Sequence, residues 1–306
     1  MRRLSALIFL AALFCAAVAA ATQQAAAQQS AGEMMSFADS LFAQGDYYRA
    51  ITEYERVIFF YPKDPLAKTA RFQIAESYFK GKKFDEAIDK FSGIARDYRN
   101  EEVGIRALFR TGEVFYKKRD YRNAADTFGR FIAAYPKDPR ADAARMKLGW
   151  SHLEQGDWTR AEEEFRGLPA DSLLRGKADL LAEEVKHYPD IPKRSPVLAG
   201  IMSGIVPGAG QLYINRPKDA LISLLLNGGF IWGTVESFEH ENYATGGVLG
   251  FFALSWYTGN IYNAINGAYK YNRRSKEGFL KSLHDRFDLS YRHEGHGNML
   301  VFSMKF

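Results

Sequence analysis

The 306-residue chain has one cysteine, Cys15, and it lies inside an N-terminal apolar run. A single thiol closes no disulfide and builds no thiolate metal cluster, so both devices are excluded. Histidine is scarce too, with six copies. The nearest approach to a metal motif, His293-Glu294-Gly295-His296, lacks the spacing and the helix of a zincin site and reads as a solvated turn. Gly208 and Gly210 are not followed by Gly-Lys-Ser/Thr, so they form no phosphate loop, and there is no Gly-x-Ser-x-Gly elbow. No catalytic, cofactor-binding or metal-binding residue is assigned, and the chain is not read as an enzyme. An excess of basic charge is missing where it would matter: residues 31–190 carry 27 Lys and Arg against 28 Asp and Glu. The pI of 9.0 comes from Arg2, Arg3 and residues 191–306, which carry 12 against 8. Nucleic-acid binding needs a clustered basic footprint, and this distribution excludes it.

Met1-Arg2-Arg3 followed by apolar Leu4–Val18 and small residues reads as a secretory signal over 1–21, with cleavage after Ala19 or Ala21. An uncleaved anchor is the rival, because the Ala/Gln linker at 22–32 also suits a tether. Leu13 and Phe14, rather than small residues, precede Cys15, so lipidation is not expected.

What the chain does have is a period. Ala50, Ala87, Ala124 and Ala161 stand 37 residues apart, and aromatics Tyr54, Phe91, Phe128 and Phe165 follow each by four. Gly45-Asp46-Tyr47, Lys82-Lys83-Phe84, Arg119-Asp120-Tyr121 and Gly156-Asp157-Trp158 precede them as variants of one phrase. Such a period predicts stacked helical pairs, each too small to bury its apolar face alone. Small residues Ala75, Gly112 and Gly149 mark close helix crossings. Tyr61-Pro62-Lys63-Asp64-Pro65 recurs as Tyr135-Pro136-Lys137-Asp138-Pro139, with Tyr98 midway, and closes the units.

These residues resemble the tetratricopeptide repeat in four units over 33–169, with a period three residues longer than usual. With the Tyr-Pro closure they look like the repeats of periplasmic assembly lipoproteins and of the Tol-Pal coordinator. The resemblance implies a first-helix groove lined by Met35, Asp39, Phe42, Phe72, Glu76, Phe79, Phe109, Glu113, Tyr116, Met146, Trp150 and Leu153. Such a groove takes an extended or helical segment of a partner protein through apolar anchors. The competing reading buries these aromatics between helices and makes Glu76–Lys80 and Glu113–Lys117 surface i,i+4 pairs. His152 sits where a ring packs against the next helix.

Residues 170–194 read as a capping helix and linker, broken at His187-Tyr188-Pro189-Asp190-Ile191-Pro192. Beyond it, over 195–276, the apolar stretches Val197–Ile214, Ala220–Val235 and Ala244–Ala268 predict a small helical membrane domain with two to three spans. Arg216 and Lys218, then Lys270, Arg273, Arg274 and Lys276, point to the cytoplasm, and Glu236, Glu239 and Glu241 to the other side. Residues 197–214 fit a span, a re-entrant segment or an interfacial one. Pro207, Gly208, Gly210, Gln211 and Tyr213, with Asn227 beyond, resemble a motif of small uncharacterised bacterial membrane domains. Gly229-x-x-x-Gly233 and Gly246-x-x-x-Gly250 suit close packing. Asn260, Asn263 and Asn266 share one side of the third helix, for interhelical hydrogen bonds or a polar path. In the tail, 277–306, alternation at Leu300, Phe302, Met304 and Phe306 predicts a β-hairpin with 288–292; the terminal phenylalanine also resembles an outer-membrane sorting signal.

The sequence thus predicts an all-α chain: a tetratricopeptide solenoid, a small helical membrane domain and a C-terminal β-hairpin. Its expected partners are a protein in the repeat groove and the lipid bilayer. Its expected place is the bacterial cell envelope, with periplasmic repeats and an inner-membrane domain, the outer membrane being the alternative. Its expected function is that of a non-enzymatic envelope scaffold, with exported repeats binding a partner protein and the membrane domain anchoring them, in envelope assembly or maintenance; the alternative is a transport or lipid-handling module with the repeats as its docking arm.

Overall fold

The computed structural model describes residues 30–188, 191–287, 289–294 and 297–302. The expected signal segment at 1–21, most of the linker, the break at Pro189-Asp190 and the terminal Phe306 lie outside the described residues. The chain divides into two compact units, Met1–Arg175 and Gly176–Phe306.

The first unit holds eight described helices in four pairs: α1 (Ala31–Ala43) with α2 (Tyr47–Phe60), α3 (Pro65–Lys80) with α4 (Phe84–Asp97), α5 (Glu102–Lys117) with α6 (Tyr121–Ala134), and α7 (Ala141–Gln155) with α8 (Trp158–Arg166). Ser30 and Glu33 form a capping box that starts α1. Each pair closes on its repeated alanine and aromatic. Ala50, Ala87, Ala124 and Ala161, like Tyr54, Phe91, Phe128 and Phe165, are fully buried. Gly112 and Gly149 face the rings of Phe128 and Phe165 so closely that an added Cβ would overlap them. The expected close crossings are therefore present, and glycine lets a whole ring lie on the helix backbone.

The phrase between the paired helices has a conformational cause. Gly45, Lys82, Arg119 and Gly156, again 37 apart, all have positive φ, between 61° and 87°. At each, the following residue's N–H bonds back six-to-one, as Asp46 N to Leu41 O and Lys83 N to Tyr78 O, which is a Schellman turn. Asp46, Asp120 and Asp157 then cap the second helix, but Lys83 makes no side-chain cap. The second repeat thus has the wrong residue at both positions. Lys82→Gly with Lys83→Asp is expected to stabilise it by about 1–2 kcal/mol, from relief of left-handed strain and a new cap, less the glycine's unfolded-state entropy. Amide-exchange protection across α3 and α4 of the full chain should rise; unchanged protection would refute this account of the turn.

Between pairs, the same turn is built with and without proline. Asp64 N bonds Tyr61 O, Glu101 N bonds Tyr98 O and Asp138 N bonds Tyr135 O at 2.9–3.1 Å. Asp64 caps α3, and Asp138 binds both the backbone N–H and the guanidinium of Arg140.

The second unit contains α9 (Arg175–Lys186), α10 (Pro196–Ile205), α11 (Ala209–Tyr213), α12 (Pro217–Glu239) and α13 (Tyr243–Phe287), then β1 (Leu289–Glu294) and β2 (Gly297–Phe302). The unit boundary falls at Arg175, ahead of the break the sequence suggests at 187–192, so most of α9 groups with the second half. Within that unit Glu184 pairs bidentately with Arg286 at 2.7 and 3.0 Å. β1 and β2 pair antiparallel from Leu289↔Phe302 to Glu294↔Gly297, which is the expected hairpin.

The three apolar stretches become different objects. Residues 197–214 form no continuous helix: α10 ends at Ile205, and Gly208 turns left-handed at φ 94° before the short α11. The second stretch lengthens into the 23-residue α12, about 35 Å by helical rise against an apolar bilayer core of about 30 Å. Among the described residues this is the one helix long and apolar enough to cross a membrane. The third stretch is the first part of a 45-residue helix that runs on through Lys276 and the start of the expected tail, burying Leu280, Leu283 and Phe287.

Candidate functional site

On the first-helix face of the repeats, the predicted groove residues separate into two classes. Met35, Phe72, Phe109, Met146, Trp150 and Leu153 are buried. Their rings pack inside the unit: Phe72 on Phe91 at 5.2 Å, Phe109 between Phe128 and Phe131 at 5.8 and 5.5 Å, and Trp150 on Phe165 at 6.3 Å. Phe42, Phe79 and Tyr116 keep partial exposure, and Asp39 is exposed while accepting a 2.6 Å hydrogen bond from Tyr54. Each of the three partly exposed rings meets the first ring of the next helix, in the pairs Phe42–Tyr47, Phe79–Phe84 and Tyr116–Tyr121, with centroids 5.3–6.1 Å apart. Three repeats therefore present a column of paired aromatic rings, spaced by one period. Such pairs prefer edge-on or tilted contact.

Beside this column runs a row of alternating charge. Glu76 and Glu113 do not bond the i+4 lysines that the sequence suggests. Arg110 grips Glu76 with both arms of its fork and reaches Glu113 with its remaining nitrogen, and Lys147 binds Glu113 at 3.0 Å. Arg110 also lies 4.8 Å from the centroid of the Phe79 ring. The reason is the period: residues 34 apart in sequence are level on adjacent first helices, nearer than a solvated i+4 partner. Burial works against the charged carboxylate of Glu113, yet Lys147 and Arg110 hold its pKa down at about 2. The expected acidic lining is thus neutralised, and what the face offers a partner is aromatic surface beside a charge-balanced ladder. His152, half-buried, has a pKa lowered by desolvation, as a packed ring would.

A cleft that the sequence reading missed lies among α2, α3 and α4 of the first two repeats. Ile58 and Phe59 of α2, Ile74 of α3 and Gly93 and Ile94 of α4 line a volume of about 570 Å³. Phe59 is 77% exposed, and nothing lies within 4 Å of where a Cβ on Gly93 would stand, features that the repeat spacing does not mark.

In the second unit the Pro-Gly-x-Gly-Gln-x-Tyr string is a helix-crossing device. Pro207 and Gly208 turn the chain, and a Cβ on Gly208 would strike the carbonyl of Ala220. Gly210 sits against Ala199, Ser203 and Ala264, where no side chain fits. Gln211, 1% exposed, accepts from Ser203 Oγ at 2.9 Å and donates to the backbone and side-chain oxygens of Asn260. Ser203 Oγ in turn accepts from Gly210 N at 3.0 Å. Tyr213 Oη accepts from Ser195 N, and the guanidinium of Arg194 lies 5.0 Å from the centroid of its ring. The motif thus stitches α10, α11 and α13 together through buried polar groups, Ser203 and Gln211 being satisfied within the network.

The other flagged amides are placed differently. Asn263 is exposed and accepts a long 3.5 Å contact from Arg216, and Asn266 is half-buried. Asn227 is the one buried residue of α12. Gly233, Gly246 and Gly250 face Leu249, Phe238 and Thr234 across the α12–α13 contact, whereas Gly229 meets nothing. Among the described residues no group of three His, Cys, Asp or Glu is gathered as a metal site. His296 lies outside the described residues.

The tetratricopeptide-repeat family model matches residues 35–102 and 109–173, so the 37-residue units are tetratricopeptide repeats. No curated protein matches the chain. Similar solved structures include a tetratricopeptide repeat protein from Parabacteroides merdae, 14% identical over 83% of this chain and 98% of that one, with a TM-score of 0.43. The apo form of RapI is 13% identical over 87% and 92%, with a TM-score of 0.41. A putative kinesin light chain repeat protein from Podosopora anserina is 14% identical over 50% and 92%, with a TM-score of 0.38.

Proposed function

We propose that this chain is a non-enzymatic adaptor of a bacterial cell envelope, whose repeats bind a partner protein while its second unit is seated in a bilayer. Tetratricopeptide repeats serve as protein-interaction scaffolds, and the observation that carries the reading here is the column Phe42–Tyr47, Phe79–Phe84, Tyr116–Tyr121. Those rings keep accessible aromatic surface in a unit that fully buries Tyr54, Phe91, Phe128 and Phe165, and aromatic anchors dominate protein interfaces. The bound segment is extended or helical, with apolar side chains spaced to meet successive repeats. Envelope assembly or maintenance suits such an arm, in keeping with the resemblance to periplasmic assembly proteins.

Seating in the bilayer is supported by α12, whose most apolar stretch is only 6% buried although it carries Leu221, Leu224, Leu225 and Trp232. An apolar helix left this bare in water would aggregate. The inner membrane, with the repeats outside the cytoplasm, fits the basic residues at 216–218 and 270–276. Expected outcome: crosslinking in intact cells recovers a partner with the native chain, and Phe79→Ala with Tyr116→Ala lowers its recovery at least tenfold while helicity is unchanged. Full recovery by the double variant would move the binding site elsewhere. The same samples report membrane seating independently, since the chain should float with vesicles after carbonate washing.

A further inference from the structure

Two amides in the second unit are each half used. Asn227, 1% exposed, donates its Nδ2 to Ser223 O at 2.7 Å, and its Oδ1 has no partner. Asn260, 6% exposed, accepts from Gln211 through its Oδ1, and its Nδ2 has no partner. The bonds that are made orient both amides, so the free atoms are an acceptor on α12 and a donor on α13. Both residues line the same cleft of about 520 Å³, together with apolar Ile222, Leu226, Phe252 and Trp256. That volume lies in the range of small-ligand sites. Asp219, which also lines the cleft, is ion-paired with Arg216.

We infer that the α12–α13 cleft binds a lipid whose head carries free hydroxyl groups. A hydroxyl donates and accepts, so it satisfies Asn227 Oδ1 and Asn260 Nδ2 together; a choline head has no hydrogen to donate to Asn227. With Asp219 already compensated, the polar end of the cleft calls for no net charge on the head. The aromatic and aliphatic lining takes the acyl chain, which enters from the bare apolar surface of α12. Gln211 sets the site: by occupying Asn260 Oδ1 it turns the amide's donor free. The helix-crossing motif and the cleft are thereby one construction, since the string that packs α11 against α13 also orients the amide that reads the head.

This inference rests on the second unit being seated in a bilayer, and the test separates the two. The full chain is reconstituted in phosphatidylcholine vesicles and photolabelled with a monoacylglycerol carrying a diazirine in its tail. Labels should concentrate on Ile222, Leu226 and Trp256. Unlabelled monoacylglycerol should compete at least about tenfold better than an alkylphosphocholine of the same chain length, whose head has no O–H to donate, the scale of one lost hydrogen bond to a buried group. N227L with N260L should erase that preference. Equal competition by the two heads, or labels spread evenly along α12, overturns the site while leaving membrane seating intact. A chain that fails to float with the vesicles overturns both. The comparison of heads on the native chain decides the matter even where the double variant fails to fold.

Discussion

Phe128→Ala is expected to cost the repeat unit about 3–5 kcal/mol, the range for emptying a fully buried phenylalanine site. Phe128 is wholly buried, meets Phe109 at 5.8 Å and packs so close at Gly112 that a Cβ there would overlap its ring. The upper end of the range applies because the facing position is glycine, with no side chain to move into the cavity. The third repeat is also internal, so its loss breaks the interfaces to the repeats on both sides, and a linear array is only as continuous as its nearest-neighbour contacts. Urea unfolding of the full chain, followed by amide exchange in α5 and α6, measures the effect. Gly112→Leu alone should also destabilise, by overpacking against the ring. Combined with Phe128→Ala it should recover part of the loss, because the new side chain fills the space the ring vacates. A double-mutant coupling near zero would show that these two residues do not share the space.

That pair was legible in the sequence because spacing carries it. A small residue on one helix and an aromatic on the next recur every 37 residues, and a period survives without knowledge of distance. The repeats and the hairpin were readable on the same ground. Reading failed where the answer depends on which helix lies beside which. Glu113 has a lysine four residues on, and a helical wheel chooses it; only the stack shows that Arg110 and Lys147 enclose the carboxylate instead. The left-handed column at 45, 82, 119 and 156 was hidden by its residue types, since Lys82 and Arg119 occupy a conformation that sequence rules reserve for glycine. The Pro-Gly-x-Gly-Gln-x-Tyr string was visible as a motif but mute as to cause. Its glycines answer to Ala199, Ala220 and Ala264, and its glutamine to Asn260, 49 residues away. Apolar length likewise could not tell that 197–214 bends at Pro207 whereas 243–287 does not.

Arg110→Met is expected to destabilise the repeats by about 3 kcal/mol at neutral pH. Breaking a buried ion pair from one side costs roughly 3–5 kcal/mol, and the lower end applies because the side chains of Arg110 and Glu76 retain 20% and 12% exposure. The variant leaves Glu76 without its fork and Glu113 with Lys147 alone, so two carboxylates lose their main compensation. The pH dependence identifies the mechanism. In the native chain the carboxyl of Glu113 titrates at about 2 against an unfolded value of 4.5. Its contribution to stability is therefore complete above pH 4.5 and is lost as the pH falls toward 2. Without Arg110 the folded carboxyl titrates higher, so the variant gives up less on acidification. The gap between native and variant stability should accordingly narrow steadily from pH 5 to pH 2.5. Lost stacking of the Arg110 guanidinium on Phe79 predicts instead a gap that does not change with pH. Unfolding midpoints of the two full chains across that range, at fixed ionic strength, distinguish a charge ladder from a packing contact.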